Sequence, residues 1–295
     1  MLFPTPPTWK SQRFVNAAYF TPELLKGAKI MALAHVNYYS HVLGQDCQAE
    51  VVLPQKRMET DPDPLRRGGE LPVLWLLHGG TEDNTAWQRQ TSIERYATDA
   101  GIAVVMPSAQ LSFYSNMASG GRYLDFIVEE LPKTMRGFFH FSDKRENNFV
   151  AGSSMGGYGA FKLALTKPEK YAAAASLSGS LDLAAMAQQM SADPRAKKVI
   201  ELALGDIDKL KDSEHDILFL LKKAKKEGTN IPKLFVCCGT DDFIYSQSVT
   251  FRELAKRIGV EITYHEEPGA HEWEFWNRNI QNVLKWLPFS NKSEN

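Results

Sequence analysis

Cysteine is scarce in this chain: three in 295 residues, too few for a disulfide framework. Cys237 and Cys238 are neighbours in an apolar, strand-like run. Adjacent side chains of a strand point to opposite faces, so the two are poor partners for each other. Buried, reduced thiols fit a reducing compartment, and a cytoplasmic location is expected. Neither sign of charge is in excess. The net charge of −1 leaves no field to gather nucleic acid or an anionic membrane. The one basic run, Lys222 to Lys226, closes an amphipathic helical pattern and reads as a solvated helix face. No segment approaches the roughly 20 apolar residues that cross a bilayer. Prolines at positions 4, 6 and 7 interrupt the apolar stretch a signal peptide would need. Metal-ligand clusters are absent too: "HEWEF" at 271–275 lacks a second histidine at helical spacing. Neither a metal nor an organic cofactor is expected.

What is present is enough apolar sequence, 43%, for a large core. Residues 1–30 begin Pro-rich, lack a long periodic segment and read as an extension. A single domain is expected over residues 31–290. "HVNYYSHVLGQDCQAEVVLP" reads as an antiparallel hairpin turning at Gly44–Gln45–Asp46. "QKRMETDPDPLRRGGE" reads as an exposed loop. Strands and helices then alternate: strands at 71–78, 101–108, 147–152, 172–179, 232–239 and 260–266, with helices between them. One helix is expected over about 87–98, another within 122–138. Such alternation predicts an α/β fold with a mostly parallel, doubly wound sheet behind an N-terminal antiparallel hairpin. Segment 181–230 holds more helical pattern than one crossover needs, and a helical cap insertion is the reading for the surplus.

"GSSMGG" at 152–157 poses a sharper question, since a serine attacks only with a base and an orienting acid beside it. The nucleophile elbow crowds the residues two before and two after the serine, which favours glycine at both. For Ser154 those are Gly152 and Gly156; for Ser153 they are Ala151 and Met155, which fit badly. Ser154 is therefore the candidate. A stray G-x-S-x-G appears by chance in roughly one chain in ten of this length, so the partners decide. In a parallel sheet they should follow later strands in the order acid, then histidine. Asp241 and Asp242 follow the strand at 232–239, and spacing does not separate them. His271 follows the strand at 260–266 in a Pro-Gly loop, and it suits a base better than His35, His41, His140, His215 or His265. Two backbone N–H groups should form an oxyanion hole. Met155 supplies one, and the loop "HGGTED" after the first core strand supplies the other. His78 has no catalytic place in that order.

"LWLLHGGTEDNTAW", "SFYSNMASGGRYLDFIVEELP", "VAGSSMGGYGAFKLAL", "SLSGSLD", "CCGTDDFIY" and "GAHEWEFWNRNIQNVLKWLP" together resemble the putative-esterase family of α/β-hydrolases. That family embraces esterase D and S-formylglutathione hydrolases, tributyrin esterases, family-one carbohydrate esterases and mycolyltransferases, and the tributyrin-esterase branch looks most similar. The resemblance implies an α/β-hydrolase fold. It also implies a serine carboxylesterase acting on short-chain esters, acetyl to butyryl, through an acyl-enzyme. Ser154 matches the family nucleophile, His271 its base, Asp242 its acid, and Gly80 and Met155 its oxyanion donors. Phe113 and Tyr114 fall in a stretch bordering the pocket in relatives, and Trp273 is a further candidate wall. One departure stands out. Where S-formylglutathione hydrolases carry a stretch with serine, leucine and cysteine, this chain has His78-Gly79-Gly80-Thr81-Glu82, which counts against glutathione thioesters. The alternatives are such a thioesterase, a feruloyl or acetyl-sugar esterase, and a silent hydrolase fold kept for binding. A small ester is the expected partner, and homo-oligomerisation is left open.

Overall fold

The computed structural model describes residues 30–55 and 70–289. The extension expected over residues 1–30 lies outside the described residues but for Ile30, and so does most of the loop expected over 55–70. The chain enters as a hairpin of β1 (Ile30–Ser40) and β2 (Gln45–Gln55). Its turn is His41 to Gly44, a few residues earlier than the expected Gly44–Gln45–Asp46. A distant side chain decides this. The Glu130 carboxylate accepts from His41 N–H at 2.7 Å, from Val42 N–H and from the Ser40 hydroxyl, so it satisfies the turn's free donors.

Next come β3 (Val73–Leu77), α1 (Ala86–Gln90), α2 (Ile93–Ala100) and β4 (Ala103–Pro107). The single helix expected over about 87–98 is two. Thr91 Oγ1 bonds the Trp87 carbonyl at 2.5 Å and accepts from Ile93 N–H at 3.1 Å. Its side chain thus competes with the helical ladder at the break. A helical stretch follows as α3 (Tyr123–Asp125), a π-helical turn Phe126–Glu130 and α4 (Leu131–Phe138). Then come β5 (Asn148–Ser153), α5 (Met155–Thr166) and β6 (Ala173–Leu177). The expected cap segment holds α6 (Leu183–Met190), α7 (Pro194–Leu204) and α8 (Ile217–Lys226). It rests on α5 and on the loop before α3. Tyr158 Oη donates to the His215 carbonyl at 3.0 Å, and Ser119 N–H donates to the Leu202 carbonyl at 2.9 Å. The chain closes with β7 (Lys233–Gly239), α9 (Tyr245–Ile258), β8 (Thr263–Glu267) and α10 (Trp273–Trp286).

Eight strands among the described residues form one sheet in the order β1-β2-β4-β3-β5-β6-β7-β8. β1 and β2 are antiparallel to their neighbours; β4, β3, β5, β6, β7 and β8 are mutually parallel. All of β3, β4, β5 and β6 is buried, as a parallel sheet covered on both faces requires. Alternate residues serve the two layers: Val73, Trp75 and Leu77 pack into one, Leu74 and Leu76 into the other. Cys47, Cys237 and Cys238 are buried and unpaired. No described helix is long and apolar enough to cross a membrane.

Candidate active site

Because β3, β5, β7 and β8 are parallel, the loops after them open on one edge of the sheet. That edge brings together residues from four distant stretches. Ser154 is the first residue beyond β5, at φ +53° and ψ −118°, a conformation that a non-glycine residue adopts only under constraint. The constraint is visible. Ser154 N–H donates to the Leu177 carbonyl at 2.9 Å. A Cβ on Gly152 would lie 2.5 Å from the Gly156 carbonyl carbon, and a Cβ on Gly156 would collide with the Leu77 carbonyl oxygen. Neither site admits a larger residue, so the sharp strand-to-helix turn needs both glycines. Ser154 is left half-exposed, whereas Ser153 is fully buried in β5.

Loops after β7 and β8 are stitched to one another. Thr240 N–H donates to the Glu267 carbonyl and Asp241 N–H to the Gly269 carbonyl, each at 3.0 Å. The backbones of Gly239 and Gly269 touch so closely that a Cβ on Gly239 has no room. This contact carries Asp242 to His271. Asp242 Oδ1 and Oδ2 lie 3.0 and 2.9 Å from His271 Nδ1, and His271 Nε2 lies 2.9 Å from Ser154 Oγ. The Asp242 side chain has no exposed surface, while Asp241 points to solvent. Burial pushes the Asp242 carboxyl up. The hydrogen bonds from His271 and from Ile244 N–H, at 3.0 Å, outweigh that and hold it below the usual carboxylate range. The Asp pair that spacing left open is therefore unequal: one is enclosed against the imidazole, the other is not.

Gly80 follows β3. Gly79 N–H is taken by Glu82 Oε2 at 2.7 Å, while Gly80 N–H meets no acceptor among the described residues. Met155 opens α5, where the first N–H groups have no intrahelical acceptor and the helix dipole is positive. His78 is occupied from both sides: its Nδ1 lies 2.7 Å from the Gly79 carbonyl oxygen and its Nε2 accepts from Ala109 N–H at 2.9 Å. Burial lowers its imidazole below the usual value, which suits a neutral, architectural histidine.

The expected pocket residues part ways. Phe113 is nearly buried and packs edge-on against Tyr158, one turn into α5. Trp273 is half-buried between Trp87 and Trp276, and Trp276 lies edge-on to His271. Tyr114 has no exposed surface; its hydroxyl donates to the His78 carbonyl at 2.8 Å and its ring fills the space at Gly159. A side chain with no exposed surface offers a bound acyl chain nothing to touch, so Tyr114 holds the loop at Gly79 and Gly80 from within. Three neighbours were missed. Leu111 stands beside Gly80. Phe243 is 75% exposed with its ring centroid 4.6 Å from that of His271. Glu82 folds back on Gly79. Phe243 follows Asp242 directly, and an aromatic there was the signal available. Leu111 and Glu82 carried none.

Ser154, His271 and Asp242 form a hydrogen-bonded chain able to move a proton from hydroxyl to imidazole while a carboxylate fixes the ring. With six parallel strands beneath it, this arrangement defines an α/β-hydrolase of the serine-hydrolase class. The chain belongs to the putative esterase family, whose match spans residues 40–287. It is 30% identical over 265 residues to an acetyl esterase of Caldicellulosiruptor saccharolyticus, covering 87% of this chain and 98% of that protein. The Staphylococcus aureus fluorophosphonate-binding serine hydrolase FphF is 36% identical, with a TM-score of 0.80 over 88% of this chain and 99% of its own. An S-formylglutathione hydrolase of the same organism, FrmB, is likewise 36% identical, with a TM-score of 0.76 over 88% of this chain and all of its own. The protein is an enzyme, a carboxylesterase by family and fold.

Proposed function

We propose that this enzyme hydrolyses short-chain esters, acetyl to butyryl, through an acyl-enzyme on Ser154. His271 takes the serine proton and returns it to the leaving alcohol; water, activated by the same imidazole, then releases the acid. Asp242 holds the ring and its charge, and the N–H groups of Gly80 and Met155 receive the oxyanion. The observation that carries this reading is the unbroken hydrogen-bonded chain from Ser154 Oγ through His271 to Asp242, all at 2.9 to 3.0 Å. The acetyl esterase relative supports a small acyl group. Leu111, Phe113, Met155 and Trp273 would wall the acyl site. A cytoplasmic location belongs to the same proposal, supported by three buried free thiols.

A p-nitrophenyl ester series tests acyl length. Each buried methylene contributes about 0.8 kcal/mol, roughly fourfold in kcat/KM. The rate should rise to an optimum at about two to four carbons and fall clearly by about eight, where the chain outgrows the site. Activity still rising at decanoate would overturn the short-chain reading.

A thioesterase is the second reading, favoured by the 36% identity to an S-formylglutathione hydrolase. It predicts a higher kcat/KM on S-formylglutathione than on p-nitrophenyl acetate, and the oxygen-ester reading predicts the reverse.

A further inference from the structure

Glu82 lies outside the Ser–His–Asp chain yet reaches into the site. Its Oε2 accepts from Gly79 N–H at 2.7 Å, and the side chain of Trp273, two residues beyond His271, stands near enough to favour its charged form. Between Gly79 and Glu82 the loop is strained: Thr81 sits at φ +62°, in the left-handed region that β-branched residues avoid. A Cβ on Gly79 would lie 2.9 Å from Glu82 Oε2 and 3.5 Å from Ser154 Cβ. The carboxylate and the serine thus flank the same face of Gly79. One residue on, Gly80 carries an N–H that meets no acceptor among the described residues.

Strain of this kind persists only where surrounding contacts hold it. The Glu82 carboxylate is placed to do so, since it closes the turn onto Gly79 N–H. We propose that Glu82 is a positioning residue, bracing the turn at 79–82 through Gly79 N–H so that Gly80 N–H stays aimed at a carbonyl oxygen held over Ser154. The inference rests on the esterase reading and names no new reacting group. Burial raises the Glu82 carboxyl above its usual value, although the bond donated by Gly79 N–H and the nearby Trp273 act against that push.

The test uses the full chain and p-nitrophenyl acetate, with wild type and Ser154→Ala as the reference pair. Glu82→Ala should lower kcat roughly ten- to a hundredfold, the range for a displaced oxyanion donor, with KM changed less than about threefold. Glu82→Gln keeps an oxygen for Gly79 N–H and should retain kcat within about fivefold. It removes an anion near His271, so the acid limb of its pH profile should move to lower pH, which loss of packing alone would not cause. Glu82→Asp is one methylene short of reaching Gly79 N–H and should behave like the alanine variant; if Glu82→Ala fails to fold, the Gln and Asp pair decides. An active wild type beside a Glu82→Ala enzyme within twofold of it, or equal losses in Gln and Ala, overturns this inference alone. A wild type no more active than Ser154→Ala overturns the esterase reading and this inference with it.

Discussion

Ser153 Oγ is buried at the end of β5 with no hydrogen-bond partner among the described residues, while Ser154 Oγ meets His271 at 2.9 Å. On the proposed mechanism Ser154→Ala removes the nucleophile and should cut kcat by about a thousandfold or more. Removing a buried hydroxyl that bonds nothing costs little, so Ser153→Ala should keep most of the activity. Steady-state rates of the two variants decide; an indispensable Ser153 would sink the elbow assignment. The aspartates separate in the same way. Asp242→Asn keeps the shape but takes the charge from beside His271 Nδ1, and kcat should fall by about four orders of magnitude. Asp241 is exposed and offers its backbone N–H to Gly269, a bond the asparagine variant keeps. Its kcat should stay near wild type, and equal losses in both variants would leave the acid unassigned.

The elbow depends on how strand ends meet a helix start. Gly156 sits under the carbonyl oxygen of Leu77, a backbone atom fixed in the sheet that cannot swing aside. Overpacking costs about 1–3 kcal/mol, and the upper end is expected where the clashing atom is fixed backbone. Gly156→Ala should therefore lower the denaturation midpoint sharply or prevent folding, measured by urea titration followed by circular dichroism. A variant as stable as wild type would mean that the turn has room the close approach denies. Further along α5 the spacing of small residues serves two neighbours. Gly157 abuts Gly179 beyond β6, whereas Gly159 makes room for the Tyr114 ring.

Lys162 is buried on α5, its ammonium held by the Ser115 hydroxyl at 2.6 Å and His215 Nδ1 at 2.8 Å. These contacts join the pocket-side loop, the elbow helix and the cap segment. Burial lowers the Lys162 ammonium from the usual 10.5 to about 8, and the same burial, with Lys162 beside it, lowers His215 to about 4. Between pH 8 and 10.5 the unfolded chain therefore binds a proton at Lys162 that the folded chain has released. Stability at this residue rises with pH across that window, by about 3 kcal/mol in all. His215 is neutral there in either state and adds nothing to the slope. Wild type should gain on Lys162→Met as pH climbs from 8 to 10, measured as the difference in unfolding free energy. Parallel curves would show that the buried amine titrates normally.

The residues of the candidate site were legible because their placement rests on local rules. Gly152 and Gly156 announce the elbow through the sterics of a sharp turn, strand–helix alternation announces a parallel sheet, and parallel strands send the loops bearing Ser154, Asp242, His271 and Gly80 to one edge. Family resemblance named Asp242 over Asp241 where spacing was silent. Other features depend on contacts between residues far apart in the chain. Glu130 moved the hairpin turn from about 90 residues away. Tyr114, adjacent to Phe113 and equally aromatic, turned into the core because Gly159 left a space there. Glu82 carries no motif; it bonds a backbone N–H three residues back and feels an indole nearly two hundred residues on. Patterning along a chain encodes which face of an element is apolar and where backbone must bend. Which side chain fills a given space follows from packing between elements, and that exists only once the sheet has assembled.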